Sequence, residues 1–142
     1  MSNVRAMKLI TNGLYIELLP RRAVNDEDWV RVQAIIKANG FTGDIEAWLQ
    51  LDDLKRFESQ INLMYQSPGV VAKAILECFE PGIHIDLEMK VLGGITGSYQ
   101  FQSEDIVPRY TTLSGPFELD QSYLPSLAQE IRELVSELQN ES

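Results

Sequence analysis

Few side chains in this sequence could carry out catalysis or bind a metal. The chain has one histidine, His84, and one cysteine, Cys78. The segment IHIDLEM alternates apolar and polar residues, so His84, Asp86 and Glu88 project from one face of a predicted strand. Zinc sites usually draw three or four ligands, commonly His or Cys, and this chain supplies one of each. A solvated sheet face is therefore the favoured interpretation, and no metal or cofactor is predicted.

Nucleophilic catalysis is disfavoured by the same shortage. Cys78 sits on an apolar segment and is predicted to be a small core or half-buried residue. A Cys–His pair requires contact between the two side chains, and nothing in the spacing supports it. The glycine-rich segment GGITG at 93–97 lies between two predicted strands, whereas a phosphate loop leads into a helix. We interpret it as a hairpin turn and predict no catalytic residues and no enzyme.

The elements that position these residues are organised around the stretch from Phe41 to Ser67. The segment DIEAWLQ alternates polar and apolar residues, which predicts a strand with one apolar face. The next segment, LKRFESQINLM, has apolar residues at helical spacing, and Asp52 is placed to cap that helix. A weaker echo, FELDQSYLPSLAQEIREL, occurs near the end of the chain. The echo indicates a pseudo-repeat or the shared demands of any strand-to-helix junction.

Turn signals divide the remaining sequence into further strands. Asn12-Gly13, Asn39-Gly40 and Gly93-Gly94 are typical of hairpin turns. The predicted order is βββα followed by ββββα, where Lys8 to Leu19 forms a first strand or a short hairpin. We therefore predict an α+β fold with one antiparallel, meandering sheet of about seven strands, covered on one face by two helices. Residues 1–142 form a single domain, with loose tails at 1–6 and 139–142.

Two polar sheet faces are candidate partner-binding surfaces. Alternation places Trp48 on the polar face of its strand, beside Asp44 and Glu46. Tryptophan is favoured at binding hot spots, and an aromatic ring surrounded by carboxylates suits a basic partner. The alternative is that a loop or a tail covers Trp48. The outer face carrying Asp86 and Glu88 is the second candidate surface.

The formal net charge of −9 is concentrated in the second half of the chain. Residues 1–76 contain nine acidic and nine basic residues, whereas residues 77–142 contain twelve acidic and three basic residues. Such a surface repels nucleic acid and favours a basic protein partner, although it also serves solubility. We find no signal-peptide pattern and no apolar run of the roughly 20 residues that a membrane span requires. The expectation is a cytoplasmic protein with no nucleic-acid and no membrane partner.

Three segments, GFTGDIEAWLQLDDLKRFESQINLMYQS, ECFEPGIHIDL and FELDQSYLPSLAQEIREL, carry a family resemblance. In this order, from about Leu14 to Leu138, the chain resembles the WapI-like immunity proteins of bacterial polymorphic-toxin systems. The matching motifs are structural rather than catalytic. The resemblance implies a cytosolic protein that binds and blocks a toxin domain, often a nuclease. Partner specificity diverges within such families, so no toxin-contacting residue is carried over.

The acidic balance agrees with that implication, because a nuclease toxin presents basic residues that an acidic inhibitor can cover. The hypothesis is a non-enzymatic inhibitor that occludes a toxin domain, with Asp44, Glu46, Trp48, Asp86 and Glu88 as candidate contacts. The alternative is a housekeeping binding or scaffold module with a different protein partner. Neither hypothesis specifies the oligomeric state.

Overall fold

The computed structural model describes residues 6–22, 29–67, 72–78, 82–104 and 110–140. These residues form eight strands, two α-helices and one short 3-10 helix. In chain order the elements are β1 (Met7–Thr11), β2 (Leu14–Arg22), β3 (Trp29–Ala38), β4 (Phe41–Gln50), α1 (Leu51–Gln66), β5 (Ala72–Glu77), β6 (Ile83–Met89), β7 (Ile95–Glu104), β8 (Tyr110–Leu119), the 3-10 helix (Gln121–Tyr123) and α2 (Leu124–Asn140).

The strands form two antiparallel sheets rather than one. Sheet 1 has the order β1-β2-β3-β4 and sheet 2 has the order β5-β6-β7-β8. The α+β class and the meandering connectivity are therefore confirmed, but the prediction of a single sheet of about seven strands is wrong. Lys8 to Leu19 forms a hairpin, which supplies the eighth strand. The 16-residue helix α1 separates β4 from β5, and β5 begins a new sheet instead of extending the first.

The hairpin turns match their sequence signals. Asn39 and Gly40 both have positive φ, 48° and 93°. Positive φ at both central residues is required by the tight turn that follows the twist of a two-stranded ribbon. This turn closes the pair Ala38–Phe41 and fixes the β3–β4 register over ten residue pairs.

Each sheet leads directly into a helix, and both helix starts carry local capping contacts. The start of α1 corrects the prediction that Asp52 caps the helix. The cap position is Gln50, whose backbone N–H donates to the Asp53 carboxylate at 3.1 Å. Asp120 caps the 3-10 helix that precedes α2, and its carboxylate accepts from the backbone N–H of Ser122 at 2.9 Å.

The inner faces of both sheets and the apolar stripes of both helices share one core. The predicted stripe of α1 is buried, with Leu54, Phe57, Ile61 and Met64 each at 0% exposure. The helices pack on one another, and Arg132 of α2 donates to Glu58 of α1 at 2.9 Å. In addition, α1 packs on β5, the first strand of sheet 2, and α2 packs on β1, the first strand of sheet 1.

Candidate binding surfaces

The outer face of sheet 1 carries the first predicted surface. Asp44, Glu46 and Trp48 lie on one side of β4 and are exposed, and 43% of Trp48 is accessible. The inward neighbours Ala47 and Leu49 are buried, so the alternation of the strand sets this arrangement. No loop or tail of the described chain buries Trp48. The structure therefore brings these three predicted residues together on one accessible strand face.

The carboxylates on this face differ in how their charge is balanced. Glu46 forms an ion pair with Arg31 of β3, which lies directly opposite Trp48 and reaches Glu46 diagonally. Asp44 accepts from the side-chain amide of Gln33 at 2.9 and 3.1 Å, and an amide carries no charge to neutralise it. A cation from a partner would therefore find the least compensated negative charge on this face at Asp44.

The outer face of sheet 2 carries the second predicted surface, on a strand in the other sheet. Asp86 is part of a hydrogen-bond chain: its carboxylate accepts from Ser98 Oγ at 2.6 Å and lies 2.9 Å from His84 Nε2. His84 Nδ1 is 3.0 Å from the Glu77 carboxylate. Both ring nitrogens thus face carboxylates, and the histidine links Glu77 on β5 to Asp86 on β6.

Glu88 on the same face is held between two lysines. Its carboxylate lies 2.7 Å from Lys90 Nζ and 3.7 Å from Lys73 Nζ. The hydrogen bond and the charge of Lys90, with a smaller effect from Lys73, lower the pKa of the Glu88 carboxyl. The negative charges of Asp86 and Glu88 are therefore partly occupied within the fold, which makes this surface less available to a basic partner than Asp44.

A cavity of about 340 Å³ lies where β5 ends and β6 begins and is lined by both Cys78 and His84. Both residues line this cavity, but the Cys78 sulfur and the His84 ring are each hydrogen-bonded to other groups. The Cys78 sulfur accepts from the backbone N–H of Ile83 at 2.9 Å, and burial raises the pKa of the thiol. A nucleophilic cysteine needs a lowered pKa and an adjacent base. This geometry does not supply a nucleophile.

A second cleft, which the sequence did not predict, lies between the start of β4 and the strands β7 and β8. Its volume is about 340 Å³. Apolar side chains dominate its walls, and Phe41 at its edge is 67% exposed. The apolar lining residues are Ile36, Phe41, Ile45, Phe101 and Leu113. An apolar residue at the start of a strand, Phe41, was the one sequence feature that pointed to this cleft. The residues of β7 and β8 that complete the cleft begin about 60 residues further along the chain, so the sequence did not connect them.

Two further observations concern the described part of the chain. In residues 6–22, 29–67, 72–78, 82–104 and 110–140, no group of three His, Cys, Asp or Glu side chains is arranged to hold a metal ion. Within the same residues, neither helix has the length and apolar character that crossing a membrane would require.

The fold and these surfaces define an α+β protein built from two four-stranded meanders, each followed by a helix. The chain belongs to the immunity protein WapI-like family, whose model matches residues 8–139. The predicted family resemblance is therefore confirmed over nearly the whole chain. Membership supports a role as an immunity protein, and hence a partner that is a protein.

Comparison with solved structures finds the same fold in proteins of very different sequence. One is a chain of Trypanosoma brucei MRP1/MRP2, with a TM-score of 0.54 and 12% identity over 96% of this chain and 86% of that chain. Another comes from a guide-RNA-binding protein complex bound to a guide RNA, with a TM-score of 0.55 and 10% identity over 95% and 92% of the two chains. At such identities the likeness concerns the fold alone. No curated protein matches the chain in sequence.

Proposed function

We propose that this protein is a non-enzymatic inhibitor that binds a toxin domain in the cytoplasm and blocks it by occlusion. The observation that carries the proposal is the match of an immunity-protein family to residues 8–139. The surfaces described above agree with it, because their polar groups are arranged for contact rather than for bond-making chemistry.

The charge of the chain favours a basic toxin surface. The net charge is −9, with all of the excess in residues 77–142. A nuclease is the toxin class that such an inhibitor suits best, because it must present basic residues to phosphates. An acidic inhibitor that covers those residues excludes the substrate and speeds its own encounter with the toxin. The same charge disfavours binding of nucleic acid by this chain itself.

Trp48 and Asp44 on sheet 1 form the favoured contact surface, with Glu46 beside them. Trp48 is exposed and lies outside the core, and the Asp44 carboxylate accepts from the neutral side-chain amide of Gln33, which leaves its charge uncompensated. Asp86 and Glu88 on sheet 2 contribute a secondary, longer-range negative field, since their carboxylates already hold His84, Lys73 and Lys90.

Co-expression with the polymorphic toxin domain encoded next to this gene tests the proposal. Cell survival and co-purification are scored together, beside an empty-vector control that shows the toxin to be active. Rescue with a stable complex is the expected result. Neither rescue nor a complex, with an active toxin, would overturn the proposal and favour a binding or scaffold module with a different protein partner.

A further inference from the structure

A sheet edge offers unpaired backbone groups to another strand unless the fold closes it. The described strands leave four such edges: β1 and β4 in sheet 1, and β5 and β8 in sheet 2. The edge of β1 is closed by α2 and the 3-10 helix before it. Glu130 accepts from Lys8 N–H at 2.6 Å, and the Tyr123 hydroxyl accepts from Ile10 N–H at 3.0 Å and donates to the Lys8 carbonyl at 3.1 Å.

The edges of sheet 2 carry comparable devices. On β5, the Gln60 side chain of α1 accepts from Ile75 N–H at 2.8 Å. On β8, the Glu118 carbonyl accepts from the Thr11 hydroxyl at 2.9 Å, so the backbone of Glu118 points away from β7. Pro116, two residues earlier, has the same orientation and no N–H to donate. Proline facing outward is a common way to block an edge strand.

The edge of β4 carries none of these devices in the described residues. The two-residue turn Asn39-Gly40 makes Ala38–Phe41 a hydrogen-bonded pair, so every second residue of β4 bonds to β3. The intervening residues direct their backbone N–H and C=O groups outward: Thr42, Asp44, Glu46 and Trp48. Within the part of the chain that the structure describes, no hydrogen bond closes these backbone groups.

We propose that β4 is the docking edge for an extended strand of the toxin domain, which would join sheet 1 as a fifth strand. This inference rests on the proposed function and names the surface through which it acts. Main-chain hydrogen bonds to Thr42, Asp44, Glu46 and Trp48 supply the register of the added strand. Its outward side chains lie beside the carboxylate of Asp44 and the ring of Trp48, which selects Lys or Arg at those positions.

The opposite side chains of the added strand face the cleft beside β4. That cleft is lined by Phe41, Ile45, Phe101 and Leu113, and its volume of about 340 Å³ accommodates an apolar side chain. Gly43 leaves no side chain of its own between the strand and Leu113. The fitting partner segment therefore alternates basic and apolar residues.

The charges on β4 disfavour a second copy of this chain paired about the middle of the strand. Antiparallel pairing of β4 with itself about Ile45 would place Asp44 opposite the Glu46 of the other copy, twice. Like charges directly opposite one another on neighbouring strands are destabilising. A strand with basic residues at those positions removes the repulsion, which favours a partner of opposite charge.

Two substitutions at one position separate the backbone contact from the side-chain contact. Glu46→Ala removes the carboxylate and keeps the outward N–H; Glu46→Pro removes both, and leaves the hydrogen bonds between β3 and β4 in place. Affinity for the adjacent toxin domain is measured for the two variants, with Ser114→Pro on the β8 edge as a control for edge proline. We expect Glu46→Pro to bind at least about tenfold more weakly than Glu46→Ala, and Ser114→Pro to bind as wild type.

Amide hydrogen exchange of the wild-type complex gives a second readout that needs no variant to fold. The amides of Thr42, Asp44, Glu46 and Trp48 are expected to exchange at least about tenfold more slowly in the complex than in the free chain. Equal affinities of Glu46→Pro and Glu46→Ala, or unprotected β4 amides in a stable complex, would overturn the docking edge and leave the inhibitor role intact. Failure of the wild-type chain to bind the toxin would instead overturn the proposed function and this inference with it.

Discussion

The backbone N–H of Lys8 donates a hydrogen bond of 2.6 Å to the side chain of Glu130, although 122 residues separate the two. The contact joins the first strand to the last helix and closes an edge that would otherwise be open to other chains. Gln60 makes the corresponding contact from the first helix to the first strand of sheet 2. The two halves of the chain are therefore closed by the same device, each helix covering the first strand of one sheet.

Removing an edge contact should lower stability by a modest amount. Tyr123→Phe deletes the hydroxyl that bridges Lys8 and Ile10 and leaves the ring packing in place. We expect a loss of about 1–2 kcal/mol in the free energy of unfolding, since two backbone groups lose their partner while remaining near water. Urea unfolding measures the change. Tyr65→Phe, on an exposed side chain of α1, is the control and should change stability by less than about 0.5 kcal/mol.

Glu130 makes stability depend on pH in a definite direction. Burial raises the pKa of this carboxyl, against the smaller opposing effects of the Lys8 N–H bond and the Lys8 charge. A carboxyl whose pKa is higher in the folded chain contributes stability that is complete below its ordinary pKa of 4.5 and is lost as the pH rises through the folded-state pKa.

Glu130→Gln keeps an oxygen acceptor for Lys8 and does not titrate. Its stability relative to wild type should therefore increase as the pH rises from about 4 to about 7. Urea midpoints of the two proteins at matched pH values measure this difference. A difference that stays constant or shrinks over that range would contradict the assignment of the effect to Glu130.

Gly97 is required by the aromatic ring of the facing strand. A Cβ at this position would collide with the Phe117 ring and lie 2.8 Å from the Asp86 carbonyl oxygen, which is backbone. Gly97→Ala should therefore destabilise the fold by about 1–3 kcal/mol, the usual cost of overpacking. Gly94→Ala is the matched control, because a Cβ added there would meet no atom within 4 Å and the residue sits in the same hairpin. Equal unfolding midpoints for the two variants would contradict this prediction and show that both the Phe117 ring and the backbone at Asp86 shift to make room.

Local sequence patterns predicted most of the elements of this fold. The alternation in β4 and β6 and the helical stripe of α1 are set by near neighbours, and their buried faces match the predictions. The number of sheets could not be obtained in this way. It depends on whether β5 pairs with an existing edge of sheet 1. Glu130, which closes the β1 edge, is 122 residues away from it, and Gln60 covers β5 itself from α1.

The candidate surfaces also combine features that local sequence predicts with features that depend on contacts between strands. Alternation alone placed Asp44, Glu46 and Trp48 on one exposed face, and Asp86 and Glu88 together on another face, where both are half-buried. The contacts of Glu88 with Lys73 and of Asp86 with Ser98 cross between strands and depend on register, whereas those with Lys90 and His84 lie two residues away on the same stretch of chain. Register is set by turns and packing, so the sequence did not predict which face keeps more of its negative charge uncompensated. The geometry shows that this is the face of Asp44.

Trp48 provides the most direct test of the ranking. Because 43% of Trp48 is exposed and the core side chains lie on the opposite face of β4, Trp48→Ala should remain folded, with a loss of about 1–2 kcal/mol from the covered part of the ring. If the ring is a contact residue, the variant should bind the adjacent toxin domain at least about tenfold more weakly than wild type. Calorimetric titration measures the affinity, and urea unfolding verifies the fold.

Leu92→Ala is the matched control, since Leu92 is 98% exposed on the turn between β6 and β7, away from β4 in the sheet order. Unchanged affinity for Trp48→Ala, with weakened binding by Asp86→Asn, would move the contact surface from sheet 1 to sheet 2.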